Sequence, residues 1–278
     1  MTTFIPSFYE LDQIVRHAPL GMRCLDMVTL QPIHTGLSVT ARHVSGSGSV
    51  HQGVRSRLSA VFSFSSLPGV LDYEWDRRPA SDFVPAPSND APQNYVIAIE
   101  DRSGQFLPQN FVVTLPRQQL MVVPLFPSPA RALPTGFGAV RAALWNTDED
   151  QPAAWALVTA TTTTGSSYFA MADARGVITL AVRYPEPQAS TQSGAASLLD
   201  LTWSLTFTLN YQPGRHENLP ALPPDAPPSR DSLIAQDAAL FAGSQPTLVE
   251  VLTYRKDLIL RSPNESKSRL LVKPAPPP

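Results

Sequence analysis

Leu201-Thr202-Trp203-Ser204-Leu205-Thr206-Phe207-Thr208-Leu209-Asn210-Tyr211 alternates large apolar residues with small polar ones along its whole length. Successive side chains leave a β-strand on opposite sides, so a period of two marks a strand with one buried and one solvated face. The same alternation appears far upstream, where Leu37, Val39 and Ala41 interleave with Ser38, Thr40 and Arg42. Between these two stretches, residues 95–100 and 111–115 flank Asp101-Arg102-Ser103-Gly104, a sequence suited to a reversal between antiparallel strands. Residues 139–145, 155–162, 168–171 and 177–184 read as further strands, with Asp173-Ala174-Arg175-Gly176 turning the third of these into the fourth.

A chain of 278 residues is too long for one small sandwich. The 29 prolines argue against long helices and for many ordered connections. The expected fold is therefore all-β: two tandem β-sandwich domains with a short N-terminal helix and a proline-rich C-terminal arm. Residues 1–19 are assigned to the helix, because Ser7 and Glu10 have capping-box spacing and Phe8, Leu11 and Val15 recur at helical intervals. Residues 20–116 form the first sandwich and 117–213 the second. Residues 214–278 form the linker and arm, in which Ser229 or Asp231 is expected to cap a helix running to Phe241 and ending at Gly243, before three short strands.

Residues 23–41 and 141–160 share a plan. Each has a β-like run, a polar turn, Gln-Pro (Gln31-Pro32, Gln151-Pro152) and a strand ending in Val-Thr-Ala (Val39-Thr40-Ala41, Val158-Thr159-Ala160). Two copies of one sandwich account for this. The run Trp155 to Ala160, a Thr-rich reversal, and then Ala172-Asp173-Ala174-Arg175-Gly176-Val177-Ile178-Thr179-Leu180 resembles the carboxypeptidase regulatory-like (transthyretin-like) β-sandwich family. The chain departs from that pattern at Ala153-Ala154-Trp155, where the family has a pair of small residues. The resemblance implies an Ig-like or transthyretin-like sandwich. The whole layout also resembles proteins encoded with phage-tail-like contractile injection particles, which implies a structural or adaptor subunit near a cap, tube end or baseplate.

Composition excludes several chemistries. The formal charge is only −2 and the three lysines, Lys256, Lys267 and Lys273, all fall near the C-terminus, so no basic face is laid out for nucleic acid. No apolar run is long enough for membrane insertion, and the first residues lack a signal-peptide pattern, so a cytoplasmic location, or release within an assembled particle, is expected. The single cysteine, Cys24, cannot form an intrachain disulfide and reads as a buried small hydrophobe. His34, His43 and His51 match no metal-ligand spacing, and Asp148-Glu149-Asp150 lacks a calcium-loop pattern. Ser47 sits in a Gly/Ser loop without a nucleophile-elbow context. No catalytic residue, metal or cofactor is assigned, and the expected partners are other structural subunits, including copies of this chain in a ring.

The candidate interface comprises Leu248, Val249, Val251 and Leu252 in the arm, Thr163 and Ser166 at a hairpin tip, and Trp75 in a loop-bordered context. Unpaired strand backbone in the arm is suited to completing a neighbouring sheet; alternatively, the strands fold back on their own domain. A second reading is a carbohydrate or cell-surface binding module using exposed aromatics, Trp75 first among them.

Overall fold

The computed structural model describes residues 15–46, 48–71, 75–76, 91–184, 201–214, 219–223, 226–263 and 265–274. The first half contributes β1 (Val15–Arg16), β2 (Leu20–Asp26), β3 (Leu37–His43), β4 (His51–Gln52), β5 (Val54–Arg55), β6 (Val61–Phe64), β7 (Trp75–Asp76), β8 (Gln93–Asp101), β9 (Gln109–Leu115) and β10 (Met121–Leu125). Two four-stranded sheets, β10-β2-β6-β5 and β4-β3-β8-β9, face each other as a sandwich. Their inward residues, among them Met22, Cys24, Val39, Phe62, Phe64, Tyr95, Ile97 and Phe111, form one core. β10 lies beyond residue 116, where the sequence suggests a junction, and runs parallel to β2.

The second half contributes β11 (Phe137–Asn146), β12 (Gln151–Pro152), β13 (Leu157–Thr162), β14 (Ser167–Met171), β15 (Val177–Arg183), β16 (Thr202–Asn210), α1 (Arg230–Ile234), β17 (Ala238–Phe241), β18 (Leu248–Thr253), β19 (Leu258–Ile259) and β20 (Leu270–Pro274). One layer is β14-β13-β16-β18, and the other places β11 between antiparallel β15 and the parallel strands β19 and β20. β17 pairs with both β16 and β20 and so joins the layers into one ladder. The protein is thus all-β, two tandem sandwiches.

Both halves follow one strand plan. β2 and β11 each have an antiparallel neighbour on one side (β6, β15) and a later, parallel strand on the other (β10, then β19 and β20). β3 and β13 each sit between a short strand and a long one (β4 and β8, β14 and β16). The Gln-Pro segments occupy equivalent turns: Leu30 and Asp150, one residue before each, both have positive φ, and Pro32 and Pro152 pair back on β2 and β11. The shared dipeptides therefore mark a repeated hairpin.

Of the two helices expected from sequence, the C-terminal one is corrected and the N-terminal one is described only at its end. The N-terminal helix lies outside the described residues except at its end, where Val15–Arg16 is a strand paired with β7. The C-terminal helix stops at Ile234, seven residues short of Phe241, and Ser229 makes no side-chain cap. Gln236 ends it: its Nε2 donates to Trp155 O (2.9 Å) and Leu233 O (2.8 Å), and its Oε1 accepts Gln212 N–H (3.1 Å). Tied to the body in this way, the chain runs straight into β17.

Local chemistry explains the turns. The Asp101 carboxylate accepts N–H groups from Ser103, Gln105 and Phe106, so the reversal between β8 and β9 is a wide side-chain-braced loop rather than a tight turn. Asp173 Oδ1 accepts Arg175 and Val177 N–H, both at 2.9 Å. Gly176 completes that turn at φ +75°, where a Cβ would meet Leu144 O at 2.6 Å, so only glycine fits.

The sandwiches meet through Leu107, Phe126, Met171 and Leu233, with Met27, Trp155 and Leu157 packed against them. Beside this cluster, Arg131 donates to Asp26 through both terminal nitrogens (2.8 and 2.6 Å) and its guanidinium lies 4.7 Å from the Phe106 ring centre. Burial raises the Asp26 pKa, but the hydrogen bonds from Arg131, Val28 N–H and Thr29 and the Arg131 charge outweigh it, holding the carboxyl below its ordinary range. Both side chains are nearly buried. Truncating one partner of such a pair strands the other, so Arg131→Ala should lower unfolding free energy by about 3 kcal/mol. Because the folded Asp26 titrates below the ordinary 3.8, its contribution is complete above that value and disappears as pH falls through the folded pKa. Urea unfolding of wild type and Asp26→Asn should accordingly differ at neutral pH and converge as the solution is acidified below the ordinary aspartate range.

Candidate functional site

The sheet register builds a surface that no single strand reveals. In β14-β13-β16-β18 the apolar members Val158, Ala160, Leu205, Phe207, Leu209 and Leu252 point inward. The opposite positions align across strands: Val249, Thr206, Thr161 and Ser167 form one row, and Thr208, Thr159 and Phe169 the next. Val251 lies opposite Ser204, and Thr253 opposite Thr202. This outer face carries no charged side chain at any of these positions. Val249 is 60% exposed, Val251 51% and Phe169 39%. The matching face of the first sandwich carries Arg42 and Glu100.

The sequence-derived interface residues divide around this surface. Val249 and Val251 lie on it, and Thr163 and Ser166 sit at the exposed β13–β14 tip at its margin. That tip is braced by Thr162, whose Oγ1 accepts Ser166 N–H (3.1 Å) and pairs with Thr164 Oγ1 (2.8 Å). Leu252 is 0% exposed and belongs to the core, with Leu248 packed against it. The β18 backbone is already paired with β16, so the fold-back alternative describes this strand, and what it offers outward is side chains. The Trp75 side chain lies outside the described residues. Thr159, Thr206 and Phe169 were not singled out from sequence. The alternation of β13 and β16 was readable there, but the register that aligns them was not.

Other sequence candidates are structural. Cys24 is fully buried and burial pushes its thiol up to about 12, which removes thiolate chemistry near neutral pH. His43 bonds to Ser45 (2.7 Å) and Gln93 (3.2 Å), and His51 to Ser49 (3.3 Å). Among the described residues no three His, Cys, Asp or Glu side chains converge as a metal site. Asp150 accepts the Trp145 indole N–H (2.9 Å) and Glu149 accepts Asn146 Nδ2 (3.2 Å), so the acidic turn is occupied in bracing its own hairpin. Trp203 packs on the core and Trp155 on the junction cluster. No helix among the described residues is long and apolar enough to cross a membrane.

No protein-family model matches the chain. No curated protein matches it in sequence either. Among solved structures, it is similar to the shaft pilin SpaA of Lactobacillus rhamnosus GG, with 10% identity over 95% of this chain and 98% of that one, at a TM-score of 0.25. A C-terminal fragment of the pilus adhesin SpaC from the same organism aligns at 10% identity over 91% and 96% of the two chains (TM-score 0.21). A streptococcal ancillary pilin aligns at 9% identity over 95% and 63% (TM-score 0.21). Superpositions this loose carry no weight for function.

The inward and outward residues of β18 should respond differently to truncation. Leu252→Ala is expected to cost about 3 kcal/mol through lost burial and the cavity left behind. Val251→Ala should stay within about 0.5 kcal/mol. Chemical unfolding of the two variants checks the assignment.

Proposed function

We propose that this protein is a non-enzymatic structural subunit whose copies associate through the uncharged outer face of the second sandwich. The observation that carries this reading is the alignment of Val249, Val251 and Phe169 with Thr159, Thr161, Thr202, Thr206 and Thr208 on one charge-free surface. Interface cores are depleted in charge, and this face combines an absence of charge with exposed valines and a phenylalanine. A surface meeting its own copy across a two-fold axis opposes each residue to the same set. On this face such a meeting brings no like charges together, and the chain's net charge of −2 adds little repulsion. Burial of the valines and phenylalanine would supply the driving force. A contractile injection particle as the setting rests on the chain's layout alone; neither the fold nor the comparisons add support to it.

Sedimentation velocity tests the proposal. The wild-type chain should sediment as an oligomer, and Thr206→Lys or Val251→Lys should return it to a monomer that keeps the wild-type far-UV circular-dichroism spectrum and a cooperative melt, since both positions face away from the core. A wild type that stays monomeric at every concentration, or lysine variants that associate as before, would overturn it.

A further inference from the structure

The second sandwich also carries an open groove of about 480 Å³ where the start of β11 meets the connection that crosses from β18 in one layer to β19 in the other. Tyr184 and Tyr254 line it, with ring centres 4.9 Å apart, and Trp203 lies 5.1 Å behind Tyr184. A Cβ on residue 138 would meet the Tyr184 ring at 2.9 Å, so Gly138 is what lets that ring lie against the strand backbone. The Tyr184 hydroxyl accepts Arg255 N–H at 3.0 Å and pins the turn between β18 and β19. Arg255 is held at φ +57°, a left-handed conformation that costs a non-glycine residue energy and recurs at ligand-binding positions.

Arg255 and Asp257 present their polar groups to solvent at the groove. The exposed Arg255 guanidinium lies over the Tyr254 ring, 5.4 Å from its centre, and among the described residues it meets no carboxylate. The Tyr254 hydroxyl has no hydrogen-bond partner among them either. Asp257 Oδ2 accepts Arg141 Nε (3.0 Å), which leaves Oδ1 as a free acceptor, while Thr179 and Pro129 O fix the far side of Arg141. An exposed cation, a phenol, a carboxylate acceptor and aromatic rings thus line a volume within the range of about 300–1,000 Å³ usual for small-ligand clefts.

We infer that this groove binds an acidic saccharide. Sugar C–H faces pack on tyrosine rings, a uronate carboxylate pairs with Arg255, and sugar hydroxyls donate to Asp257 and bond to the Tyr254 hydroxyl. A neutral glycan leaves the guanidinium without its counter-charge. An acidic peptide sets further carboxylates against Asp257 with no side-chain hydroxyl to donate to it. The inference makes no use of the association face.

Titration calorimetry on the full chain decides it, using mannuronate, galacturonate and glucuronate-containing tetrasaccharides, with cellotetraose as the neutral probe and tetraglutamate as the acidic peptide. At least one uronate tetrasaccharide should bind, and Arg255→Gly and Tyr254→Ala should each weaken it by about tenfold or more. Glycine adopts φ +57° freely, so Arg255→Gly should keep or raise the melting temperature and thereby separate lost binding from lost folding. The inference is overturned by silence of all three uronates, by equal binding of cellotetraose or tetraglutamate, or by an Arg255→Gly variant that binds as wild type does.

Discussion

Strand β11 is the element on which the second sandwich depends. Its backbone is paired on both sides, antiparallel to β15 along residues 137–143 and parallel to β19 and then β20 along residues 140–146. Buried backbone groups must be hydrogen-bonded, so one edge of β11 stays unsatisfied until the C-terminal segment returns to it. That return carries Leu252, Leu260, Leu270 and Val272 into the core and seats β17 between β16 and β20. Of the two roles the sequence leaves open for the C-terminal strands, they take the one in which they fold back on their own domain.

Both surfaces of interest follow from this closure. Pairing of β18 with β16 sets Val249 and Val251 in line with the threonines of β16 and β13, widening a charge-free face. The crossing from β18 to β19 brings Tyr254, Arg255 and Asp257 against Tyr184 and Arg141 beside the first half of β11. The first sandwich repeats the plan but keeps Arg42 and Glu100 on its equivalent face. The two copies have the same core logic and different surfaces, as expected when burial constrains inward positions and leaves outward ones free to vary.

The junction between the copies is made of unlike parts. A small apolar cluster around Phe126 and Met171 is flanked by the Asp26–Arg131 pair and by the Gln236 contacts to Trp155 and Gln212. Directional bonds among nearly buried groups fix an orientation that a small apolar contact alone would hold loosely.

The sequence by itself determined the longer strands with clear alternation and their inward faces. The alternation of Leu205, Phe207 and Leu209 or of Val39 and Ala41 admits only one buried side, and the twin Gln-Pro segments disclosed the repeat. It also placed Cys24 inside and left Asp148-Glu149-Asp150 to a turn. It misread residues 235–241 as helix, because the contacts that stop α1 come from Gln236 to Trp155 and Gln212, distant in the chain. Tertiary structure alone decided which neighbour each strand took. Register is a relation between segments: it brought Thr206, Thr161 and Val249 into one row, turned Leu252 inward, and gathered Arg141, Tyr184 and Arg255 from three separate stretches around one groove.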